Sequence, residues 1–175
     1  TPMAKNVKRL HDEGDLGEAF FAEADYLHNV ENRIKGWWPD DRNRHFALLG
    51  GGVHPVDLLR WIVGDVEEVY ALASHKVIPS FPHDDAVIMN LRFVNGCLGK
   101  VAVFLGCKRP YALNLSVYGT KGTVINNRLY LSEMGELEDF LTLPISILPE
   151  HPTFDEQMAH FVDCILSDKK TLIDA

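Results

Sequence analysis

The stretch Val87-Ile88-Met89-Asn90-Leu91-Arg92-Phe93, followed by Val94-Asn95-Gly96, decides the fold class. Every second side chain from Val87 to Phe93 is apolar and those between are mixed, which is the period of a β-strand that buries one face. Asn95 and Gly96 tolerate the positive φ angles that a tight turn requires. The stretch therefore predicts a strand that enters a hairpin of an antiparallel sheet.

The same alternation recurs along the chain. Leu113, Leu115 and Val117 alternate with more polar residues, and Thr120-Lys121-Gly122 has the composition of a second tight turn. Mostly antiparallel strands with a few helices predict an α+β fold, in which helices pack on one face of the sheet. We predict strands near residues 18–28, 67–77, 85–94, 97–106, 112–119 and 123–131, and helices over 4–13, 53–63 and 154–166.

Composition narrows the class of protein. The length of 175 residues suits one domain, and an apolar fraction of 46% is enough for a hydrophobic core. A net charge of -8 argues against a nucleic-acid partner, because phosphate binding requires a basic surface. No apolar run approaches the roughly 18 residues of a membrane span, so we expect a cytoplasmic protein with no membrane partner. The three cysteines show no C-x-x-C spacing, so we expect no metal site.

The segment Gly50-Gly51-Gly52-Val53-His54-Pro55-Val56-Asp57-Leu58-Leu59-Arg60-Trp61 has the strongest potential for chemistry. His54 stands at the start of the predicted helix, and Asp57 follows three residues later on the same side. A carboxylate beside an imidazole raises its basicity, which suits a general base. Alternatively, Asp57 complements the helix dipole and His54 is a capping or buried residue. The glycines are not a dinucleotide-binding fingerprint, because Pro55 occupies the position of its third glycine.

A second cluster begins with Tyr26 and His28 at the end of the first predicted strand and continues into a polar loop with Trp37 and Arg44. Aromatic rings beside hydrogen-bonding groups suit a sugar or polyol, because ring faces stack on the ligand while polar groups bind its hydroxyls. Arg44 would suit an anionic group on such a substrate. A solvated loop anchored by its tryptophans is the alternative.

Four segments together resemble one known family, the Gfo/Idh/MocA oxidoreductases. They are GGGVHPVDLLRW at 50–61, VKRLHDEGDLGEAFFAEADY at 7–26, YGTKGT at 118–123 and FDEQMAHFVDCIL at 154–166. The resemblance covers nearly the whole chain in the family's order. It implies a C-terminal domain on an open, mostly antiparallel sheet, like the C-terminal domain of glyceraldehyde-3-phosphate dehydrogenase. It also implies an N-terminal Rossmann domain that this sequence does not include.

The resemblance further implies a division of the chain and of the reaction. Residues 1–17 would be a remnant helix of the missing Rossmann domain, and 18–175 the domain for substrate binding and oligomerisation. The full protein would use NAD or NADP to oxidise or reduce a hydroxyl on a sugar, inositol or related polyol. We expect this chain to bind no cofactor and to be inactive alone. We also expect homo-oligomers through the outer face of the sheet.

Site residues also follow from the resemblance. The family's catalytic histidine corresponds to His54, and Tyr26 and His28 lie where family members reach the substrate. Many members carry an aspartate four residues before that histidine, where this chain has Gly50, so Asp57 is a possible substitute. Two other functions remain open: a ligand-sensing regulatory protein without turnover, and a relative of the NAD-dependent glycosidases.

Overall fold

The computed structural model describes residues 2–36, 40, 42, 46–135, 139–143 and 155–171. They fall into a larger unit within residues 2–144 and a smaller unit within residues 145–175. The described residues of the larger unit form the sheet and two α-helices, and those of the smaller one form the C-terminal helix.

The larger unit is built on one sheet of eight strands in the order β2-β3-β4-β1-β5-β6-β7-β8. Each pair of neighbouring strands is antiparallel except β1 and β4, which are parallel. The fold class predicted from the sequence, an open and mostly antiparallel sheet, is therefore confirmed. The strands are β1 (Ala19–Leu27), β2 (Val66–Ser74), β3 (Ala86–Phe93), β4 (Leu98–Phe104), β5 (Ala112–Gly119), β6 (Gly122–Ile125), β7 (Arg128–Leu131) and β8 (Leu141–Thr142).

The prediction of one strand over 123–131 is wrong. Residues in this range form the hairpin of β6 and β7, which are paired antiparallel. Asn126 turns the chain with a φ of 55°, a left-handed conformation that asparagine adopts more readily than most residues. The Asn126-Asn127 pair is therefore a turn signal inside an otherwise alternating pattern.

Helices α1 (Pro2–Asp12) and α2 (Val53–Val63) pack on one face of the sheet. The predicted limits of α2 are confirmed, and the amide of Gly64 ends this helix by donating to the carbonyl of Arg60, with a φ of 123° at the glycine. Val7 and Leu10 of α1 are buried in the same core as the strands, so tertiary packing supports this short helix. Its assignment to a Rossmann domain stays a prediction.

The outer face of the sheet is the face opposite α1 and α2. Its side chains alternate with those of the core and include the charged residues Glu23, Asp25 and Lys100 in the central strands. The Lys100 ammonium lies 2.7 Å from a Glu23 carboxylate oxygen and 3.3 Å from one of Asp25. Burial by itself would lower the pKa of Lys100, but its hydrogen bond to Glu23 and the attraction of Asp25 outweigh this effect, and the pKa is raised.

A buried carboxylate organises the loop between β2 and β3. Asp85 is 1% exposed, and one of its oxygens accepts hydrogen bonds from the amides of Val77 and Ile78, each at 2.7 Å. The amide of Lys76 adds a longer contact of 3.3 Å. Three consecutive amides are thus satisfied inside the protein, and the loop folds back so that Ile78 and Phe81 enter the core.

The smaller unit contains helix α3 (Asp155–Leu166). This agrees with the helix predicted over 154–166, although Phe154 lies outside the described residues. Within the described part of the chain, no helix combines the length and the apolar character needed to cross a membrane.

We expect Asp85→Ala to lower the free energy of unfolding by about 2–4 kcal/mol, because each hydrogen bond to a charged acceptor contributes about 1.5–3 kcal/mol. Asp84→Ala removes a neighbouring exposed carboxylate and should change stability by less than about 0.5 kcal/mol. Urea denaturation of both variants measures the difference. Equal effects of the two substitutions would show that the Asp85 carboxylate does not stabilise the loop.

Candidate functional site

The site is built where a π-helical segment, Ala47–Gly52, runs directly into α2. π-Helical segments are rare in proteins, and those that occur are frequently found at functional sites. A Cβ atom on Gly51 would lie 2.9 Å from the Tyr26 ring and 3.1 Å from Val103, so only glycine allows this approach. The backbone of this segment thus lies directly against the sheet.

His54 lies in the first turn of α2 and its side chain is exposed. Its imidazole stacks on the ring of Tyr26, with a centroid distance of 5.9 Å and an interplanar angle of 27°. Pro55, which has no amide hydrogen, follows close to the junction of the two helical segments. The helix start thus places the imidazole at the surface, above the end of β1.

Tyr26 links His54 to His28. The Tyr26 hydroxyl and His28 Nδ1 are 3.1 Å apart and hydrogen-bonded. Burial is the main cause that raises the pKa of Tyr26, and the nearby Tyr111 phenol raises it further. The positive charge of Arg33 offsets only part of this effect. The phenol of Tyr26 therefore stays protonated at neutral pH.

Tyr111 completes the cluster and was missed in the sequence. Its ring centroid lies 5.5 Å from that of Tyr26 and 5.1 Å from that of His28, both in edge-on arrangements. Burial raises the pKa of the Tyr111 phenol, although 40% of the residue remains exposed. The signal is non-local: β1 and β5 are antiparallel with Leu27 opposite Ala112, so the residue before β5 lies beside the end of β1.

Asp57 does not contact the predicted base. Its side chain is exposed, and the structure contains no hydrogen bond between its carboxylate and the His54 ring. Instead it contributes a minor electrostatic effect on Arg60, whose pKa is raised chiefly by a hydrogen bond to Asp65. The carboxylate–imidazole pair suggested by the spacing is therefore not formed in this structure, and a role for Asp57 stays a prediction.

Three of the predicted site residues, Tyr26, His28 and His54, lie together in the structure. Trp37 and Arg44 lie outside the described residues. The cluster offers two imidazoles and two neutral phenols, which combine ring faces with hydrogen-bond donors and acceptors as a polyhydroxylated ligand requires. Among the described residues, no group of three or more His, Cys, Asp or Glu side chains is placed to hold a metal ion.

The glycine run does not offer a cradle for the pyrophosphate of a dinucleotide. Cβ atoms on Gly50, Gly51 and Gly52 would each meet side chains of this chain within 3 Å. The space beside these glycines is therefore filled by protein, whereas a phosphate cradle needs open backbone amides at a helix start.

Comparison with known proteins gives a consistent result. The family model of the GFO/IDH/MocA C-terminal domain matches residues 4–125. Inositol 2-dehydrogenase 3 of Saccharopolyspora erythraea is 25% identical over 122 residues, which are 69% of this chain and 34% of that protein. The chain thus spans about a third of the length of this curated relative.

Solved structures share the fold at lower identity. A levoglucosan dehydrogenase in complex with NADH and levoglucosan superposes with a TM-score of 0.79 at 20% identity, covering 98% of this chain and 55% of that one. The WlbA dehydrogenase from Bordetella pertussis, in complex with NADH and UDP-GlcNAcA, superposes with a TM-score of 0.73 at 20% identity, covering 99% and 53%.

Proposed function

This chain belongs to the Gfo/Idh/MocA family as a C-terminal domain, and we propose that it forms the substrate-binding part of an oxidoreductase acting on a sugar, inositol or related polyol. The observation that carries the proposal is the exposed imidazole of His54 beside Tyr26, His28 and Tyr111. The relatives support the substrate class, since one is an inositol dehydrogenase and another was solved with levoglucosan.

In the proposed reaction, residues of this chain bind the substrate and accept its proton. His54 accepts the proton of the reacting hydroxyl group while the carbon that bears this group loses a hydride ion. In the reverse reaction His54 returns the proton. Tyr26, His28, Trp37 and Arg44 bind the remaining hydroxyls or an anionic group, and Asp57 assists as the nearest carboxylate on α2. A nicotinamide cofactor supplies the hydride acceptor.

We place that cofactor, NAD or NADP, on a Rossmann domain that precedes this chain in the full protein. Two observations support the assignment. The levoglucosan dehydrogenase and WlbA structures contain NADH and are nearly twice as long as this chain. The glycines of 50–52 face protein side chains. Residues 1–17 would then belong with that domain, and 18–175 would form the substrate and oligomerisation domain, inactive alone.

A second function is favoured by one specific observation. Among the described residues no carboxylate hydrogen-bonds the His54 ring, since Gly50 has no side chain and Asp57 makes no such bond. A general base is usually oriented by a third group, so an imidazole that no carboxylate orients suits a ligand-sensing protein without turnover. Retained cofactor and sugar binding by the full protein, with no reaction on any substrate, would favour this alternative.

We further propose that the outer face of the sheet joins copies of the protein. Tyr70 and Leu72 of β2 are 65% and 61% exposed, and Ile88 and Leu98 on the neighbouring strands are 41% and 47% exposed. Cross-strand pairing places Leu72 opposite Ile88, so Tyr70, Leu72 and Ile88 form one apolar patch, whereas Leu98 lies opposite Arg92 near the other end of β3. Contiguous apolar surface of this kind marks protein interfaces.

The proposed role of His54 is tested in the protein joined to its cofactor domain, with polyols and sugars as substrates. We expect His54→Ala to reduce turnover by about 100-fold or more, because a positioned general base contributes at least about this factor. His11→Ala removes a histidine of α1 and serves as the control, with unchanged turnover. Full activity of the His54 variant would exclude the role.

The proposed location of the cofactor is tested by calorimetric titration of this chain alone. We expect neither NAD nor NADP to bind with micromolar affinity, because a dinucleotide depends on a glycine-rich turn at a helix start for its pyrophosphate. The chain with a restored Rossmann domain is the positive control. Tight binding to the chain alone would place the cofactor site within these residues.

The proposed interface is tested by sedimentation velocity. We expect Leu72→Lys to shift the protein toward monomers, because an oligomer would bury an unpaired ammonium group. Leu49→Lys places the same charge on a side chain that is 65% exposed and lies outside the sheet, and it should leave the assembly intact. A monomeric wild-type protein, or identical sedimentation of the two variants, would contradict the proposal.

A further inference from the structure

We propose that Tyr26 is the positioning residue of His54, and that its ring rather than its hydroxyl does this. The kinetic part of the proposal rests on the proposed role of His54 as proton acceptor. The geometric part, that the ring fixes the orientation of the imidazole, does not depend on any reaction.

His54 needs an external support because its own helix offers none. The residue is exposed in the first turn of α2, and among the described residues no group hydrogen-bonds its ring. The stacking contact with Tyr26, at a centroid distance of 5.9 Å, lies in the range of favourable aromatic pairs. An exposed imidazole without this contact would sample several rotamers, and a base must be held within reach of the proton it accepts.

Tyr26 is itself held on several sides. Its backbone lies in β1, paired with Val103 of β4 and Leu113 of β5. The backbone of Gly51 lies against one part of the ring, and the edge-on ring of Tyr111 contacts another. These contacts restrict the motion of the Tyr26 ring. The His54 imidazole stacked on it is therefore restricted as well.

The hydroxyl of Tyr26 binds His28 and not His54. It is hydrogen-bonded to His28 Nδ1 at 3.1 Å and makes no hydrogen bond to His54. Removing the hydroxyl alone therefore leaves the support of His54 intact, whereas removing the ring leaves His54 without it. The two functions of one side chain can be separated by two substitutions.

The experiment compares Tyr26→Phe with Tyr26→Leu in the full protein. In wild-type protein labelled at histidine carbons, the His54 ring signal is identified by its loss in His54→Gln. The stacked ring of Tyr26 should shift this signal by its ring current. We expect this shift to persist in Tyr26→Phe and to disappear in Tyr26→Leu. We expect kcat to fall about 10- to 100-fold in Tyr26→Leu, a larger factor than any rise in KM from the lost substrate contact, because misplacing a catalytic group by about 1 Å can cost about 100-fold. Tyr26→Phe keeps the ring, so its loss of kcat should be smaller than that of Tyr26→Leu.

Three results would overturn the proposal. An unchanged His54 signal in a folded Tyr26→Leu protein would show that the ring does not orient the imidazole. A kcat as low in Tyr26→Phe as in Tyr26→Leu would assign the role to the hydroxyl. A rise in KM with unchanged kcat would make Tyr26 only a substrate contact. If no substrate reacts at all, the proposed function fails, while the His54 signal still decides the orientation.

Discussion

The close approach of the Gly51 backbone to Tyr26 and Val103 is the constraint on which the site depends. It brings the π-helical segment onto the sheet at the point where β1 and β4 run parallel, and it fixes where α2 begins. Since His54 lies in the first turn of α2, its location relative to β1 follows from this contact. A residue larger than glycine would push the helix start away from the strand that carries the other site residues.

Elements with strong local patterns could be predicted from the sequence. The predicted helix over 53–63 matches the observed one, because Gly64 ends it, and the alternation in 87–93 located β3 to within a residue at each end. Prediction failed where a local signal lay inside a stronger pattern. Asn126 turns the chain within a run that alternates like a strand, and the glycines before residue 53, where no helix was predicted, belong to a π-helical segment.

The site residues, too, could be predicted only where the sequence carries local information about them. Tyr26, His28 and His54 were recognisable because each stands at the end of a strand or the start of a helix. Tyr111 was not, since it joins them only through the antiparallel pairing of β1 and β5. The spacing of His54 and Asp57 indicated a pair that the structure does not form, because both side chains are exposed at the helix surface, where water competes for each.

The central position of β1 between β4 and β5 also has a consequence for folding. Both of its neighbours follow it in the chain by many residues, so β1 finds its partners only after long segments have been closed into loops, which slows folding. During synthesis, the aromatic cluster has no complete scaffold until β5 has left the ribosome. Any truncation before that strand would leave β1 with an unpaired edge and a strong tendency to aggregate.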